Sequence, residues 1–393
     1  VTDVVRTDVV VAGLGVAGAS VALALARAGA RVVALDAHHP PHSLGSSHGQ
    51  TRITRRSVAE GDAYVPLVAR SHEVWRELEA ASGESLYVAC GLLVLGDAGG
   101  GAHHGQHDFP SATRELAARH GISHEMLTAS EVEARYEALV APEGDAYFEP
   151  EGGYLRAEAC VTALLEAARR HGAELRGGEA VASWSSGHGR VVVTSSANTY
   201  DAERLVLCVG PWLPGLVPSL ARVCSVQRQA AHWFEIDDDG YDQLAALPAY
   251  LWFHGGGPSE WFYGFPAVDG PAGGIKVATE RFGAATAPGA VDRRVPVAES
   301  DEVHHSHVAG RLRGVGRRAL ATSVCLYTVT DDFGFVLDVL PGEPEVLVVS
   351  ACSGHGFKHA PAVGECAAAM ALGAAPPFDG TPFSLARFSG ATG

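Results

Sequence analysis

The seven cysteines, at 90, 160, 208, 224, 325, 352 and 366, are odd in number and include no Cys-x-x-Cys pair. That excludes a disulfide framework or zinc knuckle as the organising feature and leaves reduced thiols as the expectation. A basic patch is missing too. With 29 Lys+Arg against 45 Asp+Glu the formal net charge is −16, which excludes a nucleic-acid partner on charge. No uncharged apolar run reaches the roughly 20 residues that a membrane crossing needs, so no membrane association is expected. The first residues enter a strand without an apolar leader, and Val1 reads as an alternative start codon. A cytoplasmic location is the expectation. Internal repeats and long linkers are lacking. What is present is a chain of 393 residues, 47% hydrophobic and 19% charged, sized for two globular domains.

The sharpest signal is TDVVVAGLGVAGASVALALARAGARVVALDA, residues 7–37. Residues 9–12 read as a strand, then Gly13-x-Gly15-x-x-Gly18, then a helix over 19–28 stopped by Gly29, then a strand over 31–35 ending at Asp36. Strand, glycine turn, helix, strand and acid together form the dinucleotide fingerprint. Gly13 permits the tight turn, Gly15 lets a pyrophosphate approach the backbone, and Gly18 lets helix and strand pack closely. The helix N-terminus offers free N–H groups and the positive end of its dipole to the phosphates. Asp36 can accept from the adenosine ribose hydroxyls. The pattern alone does not separate NAD from FAD.

Residues 37–56 read as a long polar loop, and 64–81 as a helix ending near Gly83. SLYVACGLLVLG, 85–96, reads as a strand or hairpin. Residues 97–110 read as a surface excursion. Its His103, His104 and His107, like His304, His305 and His307, read as solvated loop histidines with no acid or cysteine close by. A helix over 157–171 precedes a three-stranded meander and an apolar strand over 205–209, which ends in Gly210 where a backbone can approach a ligand. Aromatic β-type segments fill 225–280, and 345–372 returns to strand, glycine-rich turn and helix. The expected fold is α/β: a Rossmann-like nucleotide domain from 1–90, 151–222 and 323–393, with an inserted sheet-based α+β substrate domain from 91–150 and 223–322.

Several segments together resemble the monomeric sarcosine oxidase and N-methyltryptophan oxidase family of flavoproteins. They are the fingerprint, SSHGQTRITR (46–55), YGFP (263–266), IKVATERFG (275–283), CLYTVTDD (325–332) and SGHGFKHAPAVGE (353–365). The resemblance implies FAD in a glutathione-reductase-like fold. It also implies an oxidase of secondary amino acids, with sarcosine-like N-methyl amino acids first, that reduces O2 to hydrogen peroxide and releases formaldehyde from N-methylated substrates. A monomer acting on small molecules is expected. The alternatives are a cyclic imino acid such as pipecolate, an amine of specialised metabolism, or a flavin-binding protein without turnover.

The same resemblance assigns roles. Cys325 stands where the family's cysteine holds FAD as a thioether to the 8α-methyl carbon, although a buried structural thiol is the ordinary fate of a free cysteine. Arg55 and Lys358 match the residues that bind the substrate carboxylate, and Lys276 the lysine that activates oxygen. His48 and Arg52 match residues near the flavin ring, with a packing role open for His48. Tyr263, Tyr327 and His355 match the lining of the substrate cavity, where core packing is equally open. The Gly354/Gly356 turn and the helix after it are expected to face the flavin pyrimidine. One position departs: Glu280 replaces the family's histidine four residues after the lysine. It can receive a cationic or hydrogen-bond-donating part of a different substrate, or merely pair with Arg281 or another base.

Overall fold

The structure is a computed structural model that describes residues 4–96, 101–140, 144–237 and 239–388. The four central strands of its six-stranded sheet are apolar runs that lack alternation, as expected of strands covered on both faces. The order is Glu174–Gly177, Val32–Asp36, Val9–Ala12, Arg204–Leu207, Glu343–Ser350, Val336–Leu340. The first five are parallel and the last antiparallel to its neighbour. Helices Val16–Arg27, Ala157–Arg170 and Ala360–Ala371 pack together on one face. On the other lies a four-stranded sheet of Val4–Arg6, Thr199–Ala202, Arg190–Ser195 and Val181–Gly187. There Val10, Val33 and Leu205 meet Val191, Val193 and Tyr200.

An eight-stranded sheet holds the aromatic segments around residues 249–253 and 261–264. Its order is Val315–Thr330, Cys224–Ile236, Ile275–Ala278, Trp261–Gly264, Ala249–Phe253, Leu92–Leu95, Ala146–Glu149, Glu125–Leu127. In its long antiparallel pair Gln229 lies opposite Cys325 and Gln227 opposite Tyr327. Strand side chains alternate between faces, so Cys325, Tyr327 and Val329 share one side, where they pack with Phe333 and Cys352. Among the described residues no helix is long and apolar enough to cross a membrane.

Two local expectations change. Within 37–56, Thr51–Thr54 is a strand paired antiparallel to Gly153–Arg156, in a three-stranded sheet completed by Tyr87–Val88. Residues 85–96 form no hairpin: Tyr87–Val88 stays in that small sheet while Leu92–Leu95 joins the eight-stranded one. Gly91, at φ +88°, turns the chain between them. A side chain there would strike the Phe148 ring at 2.4 Å.

Candidate active site

A cavity of about 530 Å³ runs from the glycine-rich turn to the Arg55–Lys358 region, within the size range of cofactor and ligand sites. At the first end Gly13 holds φ +92°, and a Cβ there would lie 2.4 Å from the Cys208 carbonyl oxygen. Gly18 is behind the wall, and a Cβ on it would meet the Gly13 oxygen at 1.8 Å, so its role is close packing. Helix Val16–Arg27 takes no cap from Gly15; Ser47 Oγ accepts its Val16 N–H at 3.0 Å, and among the described residues the Gly15 and Ala17 amides in the cavity wall remain for a ligand. Asp36 accepts from the N–H groups of Leu14 and His38, both at 2.8 Å. Burial raises its pKa, but His42 and these amides outweigh burial and hold it below the ordinary value. Gly210, at φ +51°, lines the same cavity. Uncapped amides, bare glycine backbone and an ionised acid fit the dinucleotide half of FAD.

Farther along stands Arg52, which lines the cavity and places Nη2 3.5 Å from Cys325 Sγ. Burial raises the Cys325 pKa, yet Arg52, His48 and Lys276 overcome it and bring the thiol down to about 6. The other six cysteines are all pushed upward, mainly by burial. One thiol in seven is therefore prepared as a nucleophile. Cys325, His48 and Lys276 are not themselves among the lining residues. His48 Nε2 is buried without a partner among the described residues. Lys276 Nζ donates to the carbonyls of Gly49 at 2.5 Å and Thr51 at 2.8 Å, with Thr51 Oγ1 at 3.3 Å. Burial and the neighbouring Arg52 press its pKa well below the ordinary value.

At the other end Arg55 and Lys358 come together, both buried, although 303 positions separate Arg55 from Lys358 in the chain. Arg55 Nη2 donates to both oxygens of Glu60 at 2.9 Å. Its Nε and Nη1 are buried without a partner among the described residues. Lys358 Nζ donates to the His355 carbonyl at 2.8 Å; burial lowers its pKa to about 7 although Glu60 acts in the opposite direction. Tyr263, Tyr327 and His355 line this end, with Gly354 and Gly356 in the turn beneath. Burial raises the phenols of Tyr263, to about 12, and Tyr327, which stay neutral. The N–H groups of His355 and Gly356 both donate to the Cys352 carbonyl at 2.9 Å. That leaves only the start of the following helix, and not those two turn amides, for a ligand.

His103 and His104 are not solvated: both are buried in the cavity wall, whereas His107 is exposed as expected. His307 is buried as well, with Nδ1 2.9 Å from His254 Nε2. The acids that pair with His104 are Glu60, with Oε1 3.3 Å from Nδ1, and Glu280, with Oε2 2.9 Å from Nε2. They lie 44 and 176 positions away, so no local pattern could show them. Glu280 does not pair with Arg281, which instead meets Glu302 at 3.1 Å. Glu60 was missed altogether, its one signal being position, five residues after Arg55.

The chain matches the family described as FAD dependent oxidoreductase over residues 8–370. It is 37% identical to a monomeric sarcosine oxidase of Streptomyces avermitilis over 371 residues, 93% of each chain. It is 33% identical to an N-methyl-L-tryptophan oxidase of Salmonella heidelberg, covering 98% of this chain and 100% of that one. Among solved structures, NikD, an unusual amino acid oxidase essential for nikkomycin biosynthesis, superposes with a TM-score of 0.83 at 24% identity over 97% of both chains. L-proline dehydrogenase of P. horikoshii gives 0.81 at 18% identity, over 98% of this chain and 99% of that one. These two establish the fold. With the match extending over most of its length and relatives above 30% identity over nearly all of it, the chain belongs to the FAD dependent oxidoreductase family.

Proposed function

We propose that the protein is an FAD-dependent oxidase of secondary amino acids, with N-methyl amino acids first. It converts the C–N bond to an imine, releases hydrogen peroxide, and yields formaldehyde when the lost group is a methyl. The observation that carries this reading is the buried Arg55 guanidinium, with two unpartnered nitrogens, beside the Lys358 ammonium in one cavity wall. Such a pair is suited to a carboxylate, and burial makes each hydrogen bond to it stronger.

The amides of Gly15 and Ala17, with Asp36 and Gly210, would hold the dinucleotide, and Arg52 and Cys325 the ring end. Bound FAD supplies two-electron acceptance from the amine and return of those electrons to O2. The protein's part is positional and electrostatic. Arg55 and Lys358 fix the acid end, and Tyr263 and Tyr327 shape the cavity and keep water out. Lys276 provides positive charge where oxygen is reduced; burial opposes that charge, and the three oxygens around Nζ favour it. Anaerobic addition of a secondary amino acid should bleach the yellow of the oxidised cofactor, and admitting O2 should release hydrogen peroxide. Failure of all such amines to bleach it contradicts the reading.

Cys325 is proposed to hold the cofactor as an 8α thioether, whose formation would remove one hydrogen from the thiol and one from the 8α-methyl group, with O2 as the final two-electron acceptor. The attacking species is the thiolate, which predominates above about pH 6 and is lost below it. Mixing apoprotein with FAD aerobically should therefore give a rate of covalent incorporation that is flat above about pH 7. Below pH 6 the rate should fall by about tenfold per unit, as simple protonation requires. A rate that rises on acidification would exclude the thiolate as nucleophile.

A further inference from the structure

His104 stands between two carboxylates, 3.3 Å from Glu60 and 2.9 Å from Glu280. An ionised carboxylate can only accept, so both ring nitrogens carry protons and the bridge is an imidazolium. The Glu280 oxygen that does not face His104, Oε1, makes no hydrogen bond among the described residues, and Glu280 lines the cavity. A second acceptor lies near. His355 Nε2 is 2.9 Å from the Phe333 carbonyl, which fixes the proton there and leaves Nδ1 as a lone pair. Nδ1 is buried and unpartnered, in a side chain that is 94% buried in the same wall (6% exposed). Glu280 and His104 also close round Gly354, where a Cβ would come within 2.8 Å of each of them. The wall that takes the substrate therefore presents acceptors, Glu280 Oε1 and His355 Nδ1, that no protein donor fills.

Sarcosine has no side chain to offer them. We propose that Glu280, held by His104, is a specificity element that receives a hydrogen-bond donor on the substrate's side chain. The preferred substrate is then a secondary amino acid bearing a neutral donor such as a hydroxyl, an amide or a ring N–H. This rests on the reading of the site as an amino-acid oxidase. The charges argue for a neutral donor over a cation. With the substrate carboxylate beside it Lys358 holds its proton, so Arg55, Lys358 and His104 contribute three positive charges against two negative from Glu60 and Glu280, and that carboxylate balances the remainder. A cationic side chain would leave one buried charge uncompensated. An apolar side chain would leave the acceptors unpaired and be oxidised less efficiently.

The experiment measures kcat/KM of the holoenzyme for two near-isosteric pairs, N-methyl-L-serine against N-methyl-2-aminobutyrate and N-methyl-L-asparagine against N-methyl-L-leucine. In at least one pair the donor-bearing member should be preferred by about tenfold or more, the effect of one hydrogen bond to a buried charged acceptor. In Glu280→Leu that preference should fall towards unity, flavin content reporting the fold; Glu280→Gln, which keeps one acceptor oxygen, should retain part of it. If both pairs are oxidised without preference, the inference is overturned while the oxidase reading stands. If no member of either pair is oxidised, both fall. A preference that survives in folded Glu280→Leu removes Glu280 from the role.

Discussion

Cys325→Ser protein, purified aerobically, should lose all its flavin to the supernatant on acid precipitation, whereas the unaltered protein should keep its colour in the pellet. The change is from complete retention to none, because a serine hydroxyl in this place cannot supply the anion that the thiol does. The reason lies in the local field. Cys325 is buried, and burial alone would raise its pKa, as it does for the other cysteines; the Arg52 guanidinium 3.5 Å away reverses the sign. The same argument makes Arg52 a positioning residue for attachment. With Arg52→Met the thiol should lose the largest of the influences that hold its pKa down, His48 and Lys276 remaining, and incorporation at neutral pH should slow. Flavin retained in the Cys325→Ser pellet would place the attachment elsewhere.

The second large effect is expected at Arg55. Arg55→Met should lower kcat/KM for an N-methyl amino acid by at least about 100-fold, the equivalent of roughly 3 kcal/mol for a buried charge-assisted pair of hydrogen bonds. Two losses combine in it. The substrate carboxylate loses the guanidinium whose Nε and Nη1 have no other partner, and Glu60 loses the cation it contacts at 2.9 Å. Glu60 is held well below the usual carboxylate range; burial opposes this, while Arg55, Lys358 and His355 favour it. Without Arg55 its charge would repel an incoming acid, so Arg55→Met combined with Glu60→Gln should recover part of the loss. Steady-state kinetics on the two variants, with flavin content as the control for folding, decide the matter. An Arg55→Met enzyme within a few-fold of the unaltered one would remove Arg55 from substrate binding.

How much of this was legible in the sequence depended on distance along the chain. The dinucleotide turn was legible because its strand, glycines, helix and acid fall within thirty residues and each has a local mechanical reason. The structure adds a contact that the reading did not contain, the Leu14 N–H donating to Asp36. The clamp residues came from resemblance alone, for nothing in the composition of 46–55 or 353–365 brings Arg55 to Lys358. The histidines went wrong for a physical reason. A glycine- and histidine-rich stretch has the composition of a solvated loop, and its burial depends on Glu60 and Glu280 arriving from other elements to satisfy His104. Glu280 was legible as a departure but not as a partner. The strand Thr51–Thr54 was hidden because its four residues are polar or charged apart from Ile53, and only pairing with Gly153–Arg156 makes it one.

The account is tested most directly by anaerobic titration of the holoprotein with N-methyl-L-alanine, and in parallel with N-methylethylamine, which is the same amine without its carboxylate. The prediction is stoichiometric bleaching of the flavin by the amino acid and none, at the same concentration, by the amine. Absence of bleaching by the amino acid, or equal bleaching by both, would contradict it.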